Sequence, residues 1–156
     1  KPTGAMRRAR GETIDPRPKK KCGALAALAV VLLNPGFGVP TPWAYKAYAA
    51  RGGVEAEPER DAKPFLDALA KGGATQLVAQ LYNSLEAPAF SKYPLLEIFK
   101  QSLLEAGAVG AMMSGSGATV FGLCESVQSA ETVKAKIAEK FGPSLWTYVA
   151  TFAVGS

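Results

Sequence analysis

The sequence contains no histidine. That absence removes Ser-His-Asp and Cys-His catalysis from this chain, so any reaction here would fall to Lys, Asp, Glu or a bound metal. Cysteine is scarce as well. Cys22 and Cys124 are the only two and lie far apart, and with no histidine beside them they cannot complete a four-ligand zinc site. They read as small buried hydrophobes of a reducing compartment. No apolar run is long. Cys22 to Leu33 is the longest at twelve residues, whereas a membrane helix needs about 20. Arg17-Pro18-Lys19-Lys20-Lys21 before that run imitates a secretory leader. The run lies too far into the chain, and no convincing cleavage site follows, so it reads as a buried strand.

Unbalanced charge is missing from most of the chain. Residues 1–21 hold eight of the 18 bases (Lys1, Arg7, Arg8, Arg10, Arg17, Lys19, Lys20 and Lys21) and two of the 13 acids, Glu12 and Asp15. The other residues hold ten bases and eleven acids, so the body is near neutral although the formal net charge is +5. A nucleic-acid footprint would be confined to the arm, which has no aromatic residue for stacking, so nucleic acid is not an expected partner. The arm reads as a solvated loop, with phosphate contact as the other reading. The chain opens at Lys1 and its first residues look internal to something longer. The expectation is therefore a fragment.

What is present suits one domain. At 156 residues and 48% apolar composition, the chain can bury about 70% of its unfolded surface. Arg10 to Pro16 reads as a short polar strand. Leu25 to Leu33 is nearly continuous apolar sequence ending at Asn34-Pro35-Gly36, the pattern of a central strand covered on both faces. Thr41 suits an N-cap and Pro42 the first helical position, opening a helix that Gly52-Gly53 ends. A charged, proline-bearing loop over 54–64 precedes short helices at 64–71 and 74–82. Pro94 opens a helix carrying Leu95, Leu96, Phe99, Leu103 and Ala106 on one face and closing at Gly107. Strands are expected at Val109–Met113 and Thr119–Cys124. A helix N-capped by Ser129 then buries Ala130, Val133, Ile137 and Phe141 and ends at Gly142-Pro143. Leu145 to Ala153 places Trp146, Tyr148, Ala150 and Phe152 on one side of a last strand. The order β-α-β-β-α-β predicts an α+β, ferredoxin-like split unit with extra helices in the first crossover.

Between the two middle strands lies Met112-Met113-Ser114-Gly115-Ser116-Gly117-Ala118-Thr119-Val120-Phe121-Gly122. It is not a P-loop, because no lysine follows the glycines. It is not a dinucleotide fingerprint either, because the sixth position from Gly115 is Val120 and a strand follows rather than a helix. What remains is a strand–loop–strand connection. It reads as a hairpin turn, or as an anion-holding nest to which Ser114, Ser116 and Thr119 add hydroxyl donors. A two-residue hairpin would favour Asn-Gly or Asp-Gly, which weakens the first reading.

The stretch AMMSGSGATVFGL resembles the third motif of the GHMP kinase superfamily, the small-molecule kinases of galactose, homoserine, mevalonate and phosphomevalonate. VVLLNPGFGVPTPWAYKAY, Asn83-Ser84-Leu85-Glu86 and ARGETIDP (residues 9–16) are similar in kind and order to its 4-diphosphocytidyl-2-C-methyl-D-erythritol kinase branch, of non-mevalonate isoprenoid (terpenoid) biosynthesis. The likeness covers nearly the whole chain. Ser84 stands where that branch has Asp, which weakens this motif.

The resemblance implies a ferredoxin-like C-terminal domain over residues 22–156. Residues 1–21 would be a basic arm and connecting strand belonging with an N-terminal kinase domain. It implies phosphorylation of a substrate hydroxyl with ATP and magnesium, both held mainly by that N-terminal part, in the cytoplasm. The superfamily's Gly-Leu-Gly-Gly-Gly-Ser-Ser phosphate loop and its catalytic Asp and Lys have no match in this chain, so the chain alone is expected to be inactive. Ser114, Gly115, Ser116, Gly117, Ala118 and Thr119 would face nucleotide and substrate phosphates. Thr41 and Pro42 would lie near the methylerythritol end of the substrate, with helix capping as the other role of Thr41. Asn83 and Glu86 read as packing or buried polar contacts. Trp43, Tyr45 and Tyr48 read as core and helix-surface packing rather than a cytosine-stacking platform. No catalytic residue and no metal ligand is expected in this chain. Expected partners are a small-molecule substrate and the N-terminal kinase domain, with no nucleic acid or membrane. An uncovered cleft wall also makes a homo-oligomer an expectation. The alternatives are a homoserine- or mevalonate-type kinase, or a stand-alone ferredoxin-like anion-binding or regulatory module.

Overall fold

Alternating apolar residues build the sheet. In the computed structural model, which describes residues 26–56, 60–71 and 73–152, strand β1 (Ala29–Asn34) buries Ala29, Val31 and Leu33 completely and leaves Val30, Leu32 and Asn34 half-buried. It pairs antiparallel with β3 (Val120–Cys124) on one side and β4 (Trp146–Thr151) on the other. β2 (Gly110–Met113) pairs antiparallel with β3, giving the order β2-β3-β1-β4. This is the sheet that the split β-α-β-β-α-β order predicts.

One face of the sheet carries the main core. Helix α5 (Pro94–Ala106) packs on β2 and β3, and α6 (Val127–Phe141) packs on β1 and β4. Leu96, Phe99, Leu103, Val133 and Ile137 interlock there with Val31, Leu33, Met113 and Val120. At Gly122 the approach is close, since a Cβ would stand 3.0 Å from Leu103 Cδ2. Burial of these side chains supplies the main drive for folding, at about 1.5–3 kcal/mol each. The first crossover holds α1 (Thr41–Ala50), a 3₁₀ turn at Gly53–Ala56, α2 (Lys63–Lys71), α3 (Ala74–Val78) and α4 (Glu86–Lys92).

Several expectations need correction. The first strand begins at Ala29 rather than Leu25. Among the described residues it is not covered equally on both faces, because the second face there has a small cluster at one end, where Leu69, Leu77 and Val78 meet Leu28, Val30 and Leu123. Elsewhere on that face Trp146 and Tyr148 stack in the open, ring centroids 6.3 Å apart. The helix predicted over 74–82 stops at Val78, and a helix that was not anticipated, α4, starts at Glu86. Leu95 faces outward rather than inward. α6 is capped by Ser126, not Ser129. The Ser126 hydroxyl accepts from Ser129 N–H, and Ser129 Oγ returns a bond to Ser126 N–H, a reciprocal box with Ser129 at its third position. Residues 1–21, Cys22 and the Arg10–Pro16 strand lie outside the described residues. Among the described residues no helix is long and apolar enough to cross a membrane.

Candidate functional site

The glycine loop connects Met113 to Val120. Ser114 N–H donates to Thr119 O (2.9 Å) and Gly117 N–H donates to Ser114 O (3.0 Å), closing the turn. Gly115 (φ +56°) and Gly117 (φ +92°) take the left-handed backbone that the turn requires. Gly117 is also packed, since a Cβ there would lie 2.9 Å from Met113 Sδ. Among the described residues, the N–H groups of Gly115 and Ser116 donate to nothing. Ser114 and Gly115 are exposed and Ala118 is buried. The loop thus presents amides and hydroxyls outward on a stem fixed in the core.

Two distant segments meet it. Asn34 ends β1 and makes an Asx turn, its Oδ1 accepting from Gly36 N–H at 2.8 Å, while its Nδ2 donates to Thr119 Oγ1 at 3.0 Å. The chain then enters α1. Pro40 is the N-cap, with Ala44 N–H donating to its carbonyl, so Thr41 and Pro42 occupy the first two helical positions. This corrects the capping role expected of Thr41. Proline is equally tolerated one place later, because the first-turn N–H groups have no intrahelical partner. Freed from capping, the Thr41 hydroxyl lies 2.9 Å from Ser116 Oγ. Pro42 is exposed at the helix start, with no hydrogen bond to the loop. The start of α1 adds a partial positive charge beside these hydroxyls, which favours an anion.

Asn83 and Glu86 reach the loop from a third side. Asn83 Nδ2 donates to Met113 O and to Gly115 O, each at 2.8 Å. Glu86 Oε1 accepts from Met113 N–H at 2.8 Å, and its Oε2 pairs with Lys100 Nζ at 2.7 Å. These are the partly buried polar contacts expected, and they fall on the stem of the loop. Asn34 was not legible as a member of the site. Its only signal is the Asn-Pro-Gly turn, which explains the Oδ1 bond and not the Nδ2 bond.

The aromatics divide. Trp43 packs edge-on against Tyr93 (5.7 Å) under Lys92 Nζ (4.2 Å), and Tyr48 packs against the core, as expected for both. Tyr45 lies on the helix surface, 59% exposed, one helical turn beyond Thr41. Among the described residues no three His, Cys, Asp or Glu side chains gather to hold a metal ion. The loop offers donors suited to phosphate oxygens, not carboxylates suited to a divalent cation. Cys124 is a free, fully buried thiol, and burial pushes its pKa up from the ordinary value.

This constellation can be compared with known proteins. Residues 55–143 match the family model "GHMP kinases C terminal". A 4-diphosphocytidyl-2-C-methyl-D-erythritol kinase of Pelotomaculum thermopropionicum is 38% identical over 132 residues, which cover 85% of this chain and 43% of that protein. The kinase of the same name from Gloeobacter violaceus is 35% identical over 143 residues, covering 91% and 46%. A crystal structure of 4-(cytidine 5'-diphospho)-2C-methyl-D-erythritol kinase superposes with a TM-score of 0.62 at 31% identity, over 83% of this chain and 45% of that one. The homoserine kinase of Cytophaga hutchinsonii, at 19% identity and a TM-score of 0.61 over 83% and 42%, shares the fold. The chain spans less than half the length of these curated relatives. With its family model matched from α2 through the glycine loop to α6, the chain belongs to the GHMP kinase C-terminal family.

Proposed function

We propose that this chain forms the C-terminal wall of a kinase active site, one that moves the γ-phosphoryl group of ATP onto a hydroxyl of 4-diphosphocytidyl-2-C-methyl-D-erythritol. The observation that carries the reading is the meeting of three separate segments, at Thr41, Asn83 and Ser116, around one outward-facing set of donors. The names of the relatives supply the substrate class. Phosphoryl transfer depends on positioning and on stabilising charge on the phosphoryl oxygens. The N–H groups of Gly115 and Ser116, unpaired among the described residues, with the hydroxyls of Ser114, Ser116 and Thr119, serve that need without any acid–base residue. Thr41 holds the neighbouring part of the substrate, and the Tyr45 ring offers a stacking face to the cytosine. Magnesium, when bound with ATP, neutralises phosphate charge, and the described residues of this chain do not form its site. The base, the main phosphate cradle and the metal ligands belong to a kinase portion outside this sequence. A cytoplasmic setting suits the buried free thiol of Cys124.

Calorimetric titration of the purified chain tests this. The cytidine-bearing substrate is expected to bind, homoserine and mevalonate to bind more weakly, and no turnover to follow when ATP and magnesium are added. Equal affinity for the three compounds would refute the substrate, and turnover by the chain alone would refute the division of labour. Binding of inorganic phosphates with no preference for any of these substrates would favour an anion-binding module.

A further inference from the structure

Among the described residues β2 lies at an edge of the sheet, with β3 on one side and no strand on the other. Ser114 N–H points at β3, donating to Thr119 O. Strand geometry then turns the N–H and C=O of the preceding residue, Met113, away from β3, toward the side where a fifth strand would lie. Both groups are nevertheless satisfied there. Glu86 Oε1 accepts from Met113 N–H and Asn83 Nδ2 donates to Met113 O, so a carboxylate and an amide reproduce the acceptor and donor of a missing neighbour. The two side chains are themselves held. Leu85 N–H donates to Asn83 Oδ1 at 3.0 Å, and Lys100 Nζ grips Glu86 Oε2. The substitute strand stands at the last residue of β2, where the loop departs.

Asn83 also reaches one step further, to Gly115 O. That carbonyl and the Ser116 N–H belong to one planar peptide and point in opposite directions. Fixing the carbonyl therefore aims the Ser116 amide. We infer that Asn83 and Glu86, with Lys100 behind them, are positioning residues. They lock the stem of the glycine loop and orient the Ser116 N–H toward an anionic, phosphate-type oxygen. The inference rests on the reading of the loop given above, but the ordering of the loop can be measured without ligand.

Site-resolved amide exchange by NMR on the whole chain separates the two. In Asn83→Ala, exchange at Ser114 and Gly117, the loop amides that are hydrogen-bonded, is expected to rise about tenfold or more, while β1 and α6 keep their protection. In the wild type, inorganic pyrophosphate is expected to shift the Ser116 amide resonance, and in Asn83→Ala that shift is lost. Glu86→Gln keeps an acceptor for Met113 N–H and should retain most of the loop protection, whereas Glu86→Ala should not. Unchanged loop exchange in Asn83→Ala with β1 intact would overturn the positioning role. So would equal effects of Glu86→Gln and Glu86→Ala. Faster loop exchange, with no response of the wild-type Ser116 amide to pyrophosphate, would leave the clamp standing and overturn the phosphate assignment. If Asn83→Ala loses protection throughout, the Glu86 pair decides the clamp alone.

Discussion

The hydroxyl oxygens of Thr41 and Ser116 lie 2.9 Å apart across 75 residues of sequence. Neither is buried, so the contact adds little to stability and joins the start of α1 to the glycine loop at the surface. Thr41→Val removes the hydroxyl and keeps the shape. We expect a stability change within about 0.5 kcal/mol, as for ordinary surface substitutions, together with weaker binding of the cytidine-bearing substrate. Thermal denaturation and titration on the same sample check both. A loss near the roughly 1 kcal/mol typical of a removed N-cap would restore the capping role to Thr41.

At α6 the cap is Ser126. Ser126→Ala should destabilise the chain by about 1 kcal/mol. Ser129→Ala removes the bonds of its Oγ to Ser126 N–H, Oγ and C=O but leaves Ser129 N–H donating to Ser126 Oγ, so the cap itself survives and the cost should be smaller. Urea midpoints at constant slope would rank the two, and the reverse ranking would contradict the capping geometry.

Gly122 faces α5 at close range, with Leu103 Cδ2 and Ala108 Cβ at 3.0 and 3.1 Å from an added Cβ. Gly122→Ala is expected to overpack this contact and cost about 1–3 kcal/mol. Chemical denaturation would measure the loss. An unchanged midpoint would mean that α5 shifts without resistance.

Ser102 carries a buried hydroxyl that finds no hydrogen-bond partner among the described residues. Ser102→Ala removes an uncompensated polar group, so stability should stay level or rise by up to about 1 kcal/mol. A clear loss in a calorimetric melt would show that the hydroxyl is bonded in solution.

Cys124 is held protonated by burial. Its folded pKa is raised, so at high pH the unfolded chain releases a proton that the native chain keeps. The stabilising contribution is complete below the ordinary thiol pKa and is lost as pH rises through the folded value. Midpoints measured across that alkaline window should fall in the wild type more steeply than in Cys124→Ala. Equal slopes would mean that the thiol is not shielded. The native thiol should also resist alkylation until the chain unfolds.

Much of the fold is legible because apolar periodicity is a local signal. Leu96, Phe99 and Leu103 announce α5, and Val31 and Leu33 announce β1, without reference to their partners. Boundaries failed where a tertiary contact decides them. Ser126 and Ser129 are both suited by type to capping, and apolar periodicity does not choose between them. The site was legible as a loop with donors and as a likeness to a known motif. Its assembly was not legible, because the Asn34 to Thr119 bond joins residues 85 positions apart.

The strand order has a consequence for how the chain folds. β1 is the first of the four strands in chain order, yet both of its neighbours follow α5, with Ala29 facing Cys124 on one side and Thr151 on the other. No hairpin can form first around β1. Its backbone must wait for almost the whole chain, which implies slow folding set by non-local pairing. A nascent or shortened chain would display Ala29-Val30-Val31-Leu32-Leu33 as an unpaired apolar edge, open to association with other chains until β3 and β4 close over it.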